Sequence, residues 1–226
     1  MFISIEGNIG SGKSTIIQLW KNGIQAIDGL ELVILQEPVN LWTEMHGSHP
    51  SILESLNTDP NRWAMTFQHY AFATMLEQYR SAQSHDDKIV IFERSIFSSR
   101  NVFAEVLHDN GYMNDLEWKI YTQWFDMFSS EVAMDGFIYL HTSPNVCMER
   151  IELRDRLEEK SLTSCDYLMD LETKHDEWMA QEQNVIELNN NESFDADIDS
   201  IPWKNELIDF VRHIRGEVPR GNCLLM

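Results

Sequence analysis

This sequence of 226 residues lacks several features that would place it outside the cytoplasm. It has three cysteines, Cys147, Cys165 and Cys223, which share no metal-like spacing and are odd in number, so they give no complete disulfide framework. No apolar run approaches the length of a membrane-spanning helix, and the first strand pattern begins at Phe2. We therefore expect no signal or transit peptide and no stable membrane insertion, and we predict a cytoplasmic protein in a reducing compartment.

Basic residues are also scarce. The chain has 17 Lys plus Arg against 37 Asp plus Glu, which gives a formal net charge of −20. Because affinity for nucleic-acid phosphates needs clustered cations, we expect no nucleic-acid partner, and any local basic cluster becomes informative. There is also no repeat, low-complexity tract or Pro/Gly/Ser-rich linker. We predict a single domain over residues 1–226, in which residues 217–226 form a flexible tail.

What the chain does contain is a complete phosphate-binding loop (P-loop), the pattern G-x-x-x-x-G-K-[ST]. It lies between an apolar strand pattern, Phe2–Glu6, and a helical pattern, which is the context that this motif requires. The glycines allow backbone N–H groups to surround a polyphosphate, Lys13 can reach the β- and γ-phosphates, and Ser14 can hold Mg²⁺. A glycine-rich turn that binds nothing would not need this context, so we predict a nucleoside-triphosphate site. Its residues are Gly7, Asn8, Ile9, Gly10, Ser11, Gly12, Lys13, Ser14 and Thr15.

Five short apolar runs alternate with helical patterns along the chain. Such alternation predicts an α/β fold, in which a five-stranded parallel sheet has helices on both faces. Right-handed crossovers bring the carboxyl ends of parallel strands to one edge of the sheet, and we expect the ligand there. The predicted strands are Phe2–Glu6, Leu32–Gln36, Ile89–Glu93, Phe137–His141 and Asn184–Leu188, and the predicted helices are Thr15–Asn22, Asn61–Ser84, Val102–Leu107, Asp115–Ser130, Pro144–Arg154, Ser164–Gln183 and Trp203–Arg215.

Charged residues stand where two predicted strands reach this edge. Glu37 follows the second strand, and Glu93 ends the third strand and precedes Arg94. A carboxylate beside a P-loop can take a proton from an attacking hydroxyl or bind Mg²⁺, and a guanidinium can stabilise a transferring phosphoryl group. The alternatives are a solvated strand end for Glu37 and a surface ion pair for the other two residues. The P-loop favours the functional interpretation.

The basic cluster of this acidic chain extends from Arg150 to Lys160. Arg150 and Arg154 are four residues apart and share a helix face, and Arg156 follows beyond the helix end. With a P-loop upstream, these arginines predict a basic lid that closes over the triphosphate. The alternative is an exposed helix with i,i+4 ion pairs to neighbouring glutamates.

The long helical pattern in the first half of the chain carries a candidate base-binding residue. The carboxamide of Gln68 offers a donor and an acceptor side by side, which suits the Watson–Crick edge of a base. Trp42 and Phe103 can supply flat walls for such a base. Phe67, one residue before the glutamine, is most simply a core residue.

Together these residues resemble the deoxynucleoside kinases, the family that contains deoxycytidine, deoxyguanosine and mitochondrial thymidine kinases and the insect multisubstrate enzyme. The resemblance implies a P-loop kinase fold with a basic lid, and transfer of the ATP γ-phosphate to the 5′-hydroxyl of a deoxynucleoside in nucleotide salvage. The matching segments follow the family order and are Ile5–Thr15, Gln36–Val39 with Trp42, Asp59–Gln68, Glu93–Arg100, Thr142–Ile151, Arg154–Glu159 and Lys174–Trp178.

The resemblance also implies a role for each matching residue. Glu37 would be the general base, Glu93 would help to hold Mg²⁺, and Arg94 would lie near the 5′-oxygen. Gln68 would bind the base, and Glu159 would reach the sugar 3′-hydroxyl. The usual assembly of the family is a homodimer through helices that flank the substrate site. The lid would consist of Arg150, Arg154 and Arg156, and the walls of the base pocket would be Trp42, Phe67 and Phe103.

Two positions depart from the family pattern. Many members have a tyrosine where this chain has Asn57, three residues before Pro60, and that tyrosine helps to bind the 3′-hydroxyl. Asn57 puts this contact in doubt, although a shorter amide can act through a water molecule. The last four residues, Cys223–Met226, fit a C-a-a-X prenylation box. Because no second cysteine or basic cluster supports it, one lipid would anchor only weakly, and an accidental match is favoured.

The base pocket predicts the preferred substrate. Relatives specialised for deoxycytidine and purines have an arginine and an aspartate at the positions of Met75 and Ser99, and these charges crowd a thymine methyl group. Met75 follows Gln68 by seven residues on the same helix face, with the small Ala71 between them. A thioether suits contact with a methyl group. We therefore predict a pyrimidine deoxynucleoside as substrate, with thymidine accepted.

Two alternatives remain open at this point. A thymidylate-type nucleoside monophosphate kinase is also a P-loop protein on a parallel sheet, but it needs a further basic contact for the phosphate of its acceptor. A catalytically inactive family member that only binds nucleotides would have lost one or more of the four charged residues of the site. All four are present: Lys13, Glu37, Glu93 and Arg94.

Overall fold

A computed structural model describes residues 1–24, 26–27, 29–44, 49–85, 87–154, 163–192 and 204–216. The strands are β1 (Phe2–Gly7), β2 (Ala26–Ile27), β3 (Leu30–Leu35), β4 (Ile89–Glu93), β5 (Gly136–His141) and β6 (Val185–Asn189). They form one sheet in the order β2-β3-β4-β1-β5-β6, in which every pair except β2–β3 is parallel. The predicted α/β architecture with a parallel sheet is confirmed.

The predicted number of five strands is wrong, because the sheet has six. The additional strand, β2, pairs antiparallel with β3 at the edge of the sheet, with Ala26 opposite Glu31. A strand of two residues is too short to show a period of two in the sequence. The dipeptide Asp28-Gly29 before β3 is nevertheless typical of a hairpin turn, and Gly29 has a φ of 82°.

The central strand of the sheet is β1. Ile3 and Ile5 are completely buried there, as expected for a parallel strand covered on both faces. Ile5 lies opposite Glu93 of β4 and Ile138 of β5. This register places the end of β4 beside the loop that leaves β1, so the sheet itself brings the P-loop and Glu93 together.

Helices cover both faces of the sheet. Six of the seven predicted helices are present, and their boundaries differ from the prediction by at most two residues at the start and four at the end. The seventh, Val102–Leu107, is divided between a π-helical segment and a short α-helix. Short helices and a 3₁₀ turn (Gln83–His85) were not predicted, because segments of this length carry no clear periodicity. The helices are α1 (Lys13–Gly23), α2 (Val39–Thr43), α3 (Ile52–Thr58), α4 (Pro60–Ala82), α5 (Ile96–Ser98), the π-helical segment (Ser99–Ala104), α6 (Glu105–Asp109), α7 (Asp115–Ser129), α8 (Pro144–Arg154), α9 (Cys165–Met179) and α10 (Lys204–Ile214).

Separate apolar clusters hold these helices against the sheet. Trp20 of α1 and Phe210 of α10 belong to the cluster that includes Ile3 and Ile5 of the central strand. Phe72 of α4 belongs to another, together with apolar residues of β4. None of the described helices combines the length and apolar character that a membrane crossing requires.

Candidate active site

The P-loop connects β1 to α1 and approaches neighbouring chain segments too closely for side chains. Gly10 and Gly12 have φ values of 78° and 96°, in the left-handed region that favours glycine. A Cβ atom at Gly10 would lie 2.5 Å from the carbonyl oxygen of Cys147, and one at Gly12 would lie 2.7 Å from Nδ2 of Asn190. Backbone conformation and packing therefore both require glycine at these two positions of the motif.

Lys13 folds back over this loop. Its Nζ donates hydrogen bonds to the carbonyl oxygens of Asn8 (2.7 Å) and Gly7 (3.0 Å) and to Oγ of Ser11 (3.3 Å). Burial and the nearby Arg94 guanidinium lower the pKa of Lys13 to about 7. Since its hydrogen-bond partners among the described residues are neutral, a phosphate group at this position would stabilise the charged ammonium.

A hydroxyl and a carboxylate meet where α1 begins. Oγ of Ser14 donates to Oε1 of Glu93 at 2.6 Å, and Glu93 is buried. P-loop enzymes hold Mg²⁺ with such a pair. Among the described residues, no three His, Cys, Asp or Glu side chains are grouped as a metal site. A hydroxyl beside one carboxylate is the kind of pair that could hold Mg²⁺ together with substrate phosphates.

The carboxylate of Glu37 and the guanidinium of Arg94 face each other across the same edge. Nε of Arg94 lies 3.4 Å from Oε1 of Glu37, and the Glu37 side chain is 18% exposed. The guanidinium carbon also lies 4.5 Å from the centre of the Phe103 ring, a cation–π contact. Nη1 of Arg94 is buried and has no hydrogen-bond partner among the described residues. A buried donor of this kind is the group that an oxygen of a bound substrate can satisfy.

The protonation of Glu37 depends on this setting. Burial raises the pKa of Glu37 to about 7, although the positive charge of Arg94 opposes the shift. A general base works best when its pKa is close to the operating pH. The geometry thus gives Glu37 both the location and the basicity that proton abstraction from a hydroxyl requires.

The backbone of Arg94 is strained. It has a φ of 64°, the one positive φ among the described non-glycine residues, while its N–H donates to the carbonyl oxygen of Ile5 at 3.0 Å. Left-handed conformations of bulky residues cost energy and concentrate at functional sites. The strain is held in place by the parallel pairing of β4 with β1.

A buried carboxyl group supports this turn from behind. Oε1 of Glu6 accepts hydrogen bonds from Oγ of Ser4 (2.6 Å) and Oγ of Ser95 (2.7 Å), and Glu6 is completely buried. Burial raises the pKa of Glu6, against the attraction of Arg94. Glu6 therefore supports the site from beneath, through its hydrogen bond with Ser95, the residue that follows Arg94.

One cavity of about 580 Å³ joins the charged residues to the predicted base pocket. Gln68 is buried at its wall, and Oε1 of this residue accepts a hydrogen bond from Oγ of Ser99 at 3.0 Å. The structure brings most of the predicted site residues together here. Those that line the cavity are Ile9, Gly10, Lys13, Ser14, Glu37, Trp42, Asn57, Phe67, Gln68, Ala71, Met75, Glu93, Arg94, Ser99, Phe103 and Arg154.

The aromatic walls of the base pocket are fixed by their own contacts. Trp42 packs edge-on against Phe67, with ring centres 5.5 Å apart, and its Nε1 donates to Oγ1 of Thr74 at 3.0 Å. Ser99 and Phe103 lie on the π-helical segment. Segments of this type are rare and frequently occur at functional sites.

Other predicted residues do not line this cavity. Arg150 donates to the backbone carbonyl oxygens of Asn190 (2.9 Å) and Ser11 (3.4 Å), and so ties the P-loop to the end of β6. Arg156 and Glu159, like Cys223 and the predicted tail 217–226, lie outside the described residues, and the lid role of all three arginines stays a prediction. The predicted residues away from the cavity wall are Gly7, Asn8, Ser11, Gly12, Thr15 and Arg150.

The cavity also includes residues that the sequence analysis did not predict. Val39 and Asn40 directly follow Glu37 and Pro38, so their closeness in sequence to a predicted site residue could have indicated that they line the cavity. Tyr167 of α9 offered no such signal, because it is distant in sequence from every other lining residue except Arg154 and Thr163. Burial raises the pKa of the Tyr167 phenol. The remaining lining residues of this group are Gln36, Leu53 and Thr163.

A parallel sheet with a P-loop after its central strand, a serine–carboxylate pair and a carboxylate–guanidinium pair over one cavity defines a P-loop kinase. A family model of the deoxynucleoside kinases matches residues 3–215. The chain belongs to the deoxynucleoside kinase family, and it is therefore an enzyme of a kinase family that takes its phosphate from ATP.

Curated relatives agree with this assignment. A probable deoxycytidine kinase of fowlpox virus is 39% identical over 202 residues, which cover 85% of this chain and 80% of the relative. Deoxycytidine kinase 2 of Gallus gallus is 35% identical over 210 residues (83% and 77%). The mitochondrial deoxyguanosine kinase of Xenopus laevis is 33% identical over 211 residues (83% and 76%).

Proposed function

We propose that this protein transfers the γ-phosphate of ATP to the 5′-hydroxyl of a pyrimidine deoxynucleoside, and that thymidine is accepted. The observation that carries this proposal is the shared cavity: the Glu37–Arg94 pair, 3.4 Å apart, opens into the same space as the P-loop and Gln68. A nucleoside whose base contacts Gln68 would have its 5′-hydroxyl held next to the phosphate donor, and such positioning supplies much of the catalysis of phosphoryl transfer.

In this mechanism Glu37 accepts the proton of the 5′-hydroxyl as its oxygen forms a bond to the γ-phosphorus. The bond between this phosphorus and the bridging oxygen of ADP breaks, and ADP leaves with the electron pair. Arg94 and Lys13 stabilise the negative charge of the transferring group. Nη1 of Arg94, which is buried and has no hydrogen-bond partner in the described part of the chain, supports this role, because a substrate oxygen would complete its hydrogen bonding.

Ser14 and Glu93 would hold Mg²⁺, with Glu37 as a further ligand directly or through water. Their oxygens meet at 2.6 Å beside Lys13, where the β- and γ-phosphates are expected. When bound, the ion neutralises charge on these phosphates.

The base preference is supported by the neutral lining of the pocket. Ala71, Met75 and Ser99 surround Gln68 without a charge, and Met75 offers soft contact to a methyl group. The relatives are named as deoxycytidine and deoxyguanosine kinases, so deoxycytidine is the strongest competing pyrimidine.

We also propose a homodimer through α4 and α7. Leu116, Ile120 and Met127 of α7 are 67%, 44% and 63% exposed and lie on one face of that helix. Tyr70 on the neighbouring α4 is 36% exposed. Replacing Ile120 with Glu should convert the dimer to a monomer in light scattering, whereas Leu153→Glu, at an exposed apolar position of α8, should not. A dimer that survives Ile120→Glu would contradict this interface.

A thymidylate-type kinase would need a cation for the phosphate of its acceptor. Among the described residues, the cations that line the cavity are Lys13, Arg94 and Arg154. The proposed mechanism uses Lys13 and Arg94 at the transferring phosphate, and Arg154 belongs to the predicted lid over the triphosphate. An inactive nucleotide-binding protein would be expected to have lost part of the charged set, which is complete here.

The test is ATP-dependent phosphorylation of thymidine, deoxycytidine, deoxyadenosine and deoxyguanosine, with thymidine monophosphate as control acceptor. We expect the highest kcat/KM for a pyrimidine deoxynucleoside, clear turnover of thymidine, and no phosphorylation of the monophosphate. A purine as best substrate would overturn the base assignment, and turnover of the monophosphate would favour the thymidylate-type alternative.

A further inference from the structure

A chain of hydrogen bonds extends from the base pocket into the protein. Oγ of Ser99 donates to Oε1 of Gln68 at 3.0 Å and lies 3.2 Å from the hydroxyl of Tyr121. Gln68, Ser99 and Tyr121 are all at most 3% exposed, and they come from α4, the π-helical segment and α7 in turn. Hydroxyl and amide groups that are buried to this degree are almost always hydrogen-bonded.

Tyr121, at the inner end of this series of hydrogen bonds, fixes which group donates and which accepts. Burial raises the pKa of Tyr121, so the phenol keeps its proton. Among the described residues, Ser99 is the one hydrogen-bond partner of this phenol, and Ser99 itself contacts no further partner through its hydroxyl. Tyr121 therefore donates to Ser99, and the hydrogen of Ser99 goes to Oε1 of Gln68. No described residue accepts a bond from Nε2 of Gln68, which is left for the cavity.

The opposite direction of hydrogen bonding among these three residues is less favourable. If the amide of Gln68 rotated by half a turn, Nε2 would donate to Ser99 and Ser99 would donate to Tyr121. The hydrogen of the Tyr121 hydroxyl would then have no acceptor among the described residues. Leaving a buried hydroxyl donor unsatisfied is costly, so the observed orientation is preferred.

Packing holds the inner end of this chain in place. The Tyr121 ring stacks on Trp118, with ring centres 6.1 Å apart and planes inclined by 23°, and it meets the edge of His69 at 5.3 Å. The hydroxyl of Tyr121 thus cannot follow a rotating amide without displacing two other rings.

The orientation matters because the two pyrimidine edges have opposite polarity. Thymine and uracil present a donor at N3 and an acceptor at O4, whereas cytosine presents an acceptor at N3 and a donor at N4. A base held in one pose needs opposite orientations of the Gln68 amide in the two cases. We propose that Ser99 and Tyr121 are specificity-determining positioning residues, which hold the Gln68 amide in one orientation and so separate the uracil-type edge from the cytosine edge. This inference rests on the proposed function.

The test compares deoxyuridine with deoxycytidine, which differ at this edge and lack the thymine methyl group. In the unmodified protein we expect their kcat/KM values to differ by about tenfold or more, since an unsatisfied buried hydroxyl opposes one orientation. Ser99→Ala should bring the ratio close to one. Tyr121→Phe should move it in the same direction by a smaller factor, because Ser99 still has one hydrogen to donate to Oε1 of Gln68 but no longer receives a hydrogen bond that fixes its direction.

Met75→Ala is the matched control. It should change the ratio of thymidine to deoxyuridine, which reports the methyl contact, and leave the ratio of deoxyuridine to deoxycytidine unchanged. A general loss of folded protein would lower all substrates together and move neither ratio. The proposal is overturned if the deoxyuridine-to-deoxycytidine ratio is near one in the unmodified protein, or if Ser99→Ala leaves a large ratio intact. If no pyrimidine deoxynucleoside is phosphorylated at all, the proposed function fails, and this inference fails with it.

Discussion

The two ends of the candidate active-site cavity, which we name the phosphate end and the base end after their proposed roles, are built from different interactions. At the phosphate end, Lys13, Glu37 and Arg94 are partly or fully buried charges. Arg94 forms an ion pair with Glu37, and its positive charge affects the pKa values of both Lys13 and Glu37. At the base end, Gln68 and Ser99 are neutral and are fixed by hydrogen bonds of defined direction. The first arrangement depends on Coulomb interactions in a region of low dielectric constant, and the second on which atom donates and which accepts.

The difference predicts how each end responds to change. Removing one member of a buried charged set leaves its partner uncompensated, so small chemical changes at the phosphate end should have large effects on rate. Changing a neutral group at the base end alters a choice between similar substrates, which is worth a smaller free-energy difference. Substitutions at the two ends should therefore separate into losses of catalysis and changes of selectivity.

The largest effect is expected from Glu37→Gln, which keeps the shape of the side chain and removes its basicity. Turnover should fall about 10²–10⁴-fold, as is typical for the loss of a general base, while ATP binding measured by calorimetry stays largely intact. Glu31→Gln, at an exposed position of β3, is the control and should behave like the unmodified protein. Near-normal turnover of Glu37→Gln would mean that this glutamate has only a structural role.

A charge introduced at the base end should make this end respond like the phosphate end, with a large effect from a single substitution. Met75→Arg alone would place an unpaired cation at a buried position and should cost about 3 kcal/mol or more in the free energy of unfolding. Adding Ser99→Asp should restore much of this stability and shift preference from thymidine toward deoxycytidine and purines. Chemical denaturation and kcat/KM for each nucleoside measure the two effects. If the double variant keeps the original preference, these positions do not control the base.

The pH dependence should belong to the phosphate end alone. Because the pKa of Glu37 is raised to about 7, the base is increasingly protonated below this pH, and kcat/KM for the nucleoside should fall by about tenfold per pH unit there. This decrease in kcat/KM below pH 7 should disappear in Glu37→Gln and be unchanged in Ser99→Ala. A decrease that persists in Glu37→Gln would assign the titration to another group of this coupled set.

The smallest effect is expected from Asn57→Tyr, at the cavity wall. A new hydrogen bond to the sugar 3′-hydroxyl is worth on the order of 1 kcal/mol, or about fivefold in preference for thymidine over its 3′-deoxy analogue. Asn57→Phe supplies the ring without the hydroxyl and should not show this gain. Equal relative efficiencies in Asn57→Tyr and the unmodified protein would contradict a sugar contact at this position.

The residues that line both ends of the cavity could be predicted from the sequence, but the contacts that fix the base end could not, for a physical reason. Lys13, Glu37 and Glu93 each lie within two residues of a strand end or a helix start, and the parallel sheet brings those ends together without further information. The contact of Ser99 with Tyr121 joins residues 22 apart on separate helices, and no local periodicity encodes it. The π-helical segment and strand β2 were missed because each is too short or too irregular to leave a repeating pattern.

Position 94 shows how a functional requirement limits the sequences that the fold can accept. Its backbone, with a φ of 64°, would be relaxed by glycine, whereas its contacts with Glu37 and Phe103 need a guanidinium. No amino acid satisfies both demands, so the chain retains a local strain together with the guanidinium that the proposed mechanism uses. Selection for thermal stability alone would act against such a residue, and selection for turnover would keep it. Optimised variants of this enzyme therefore need stabilising substitutions elsewhere, with this turn left as it is.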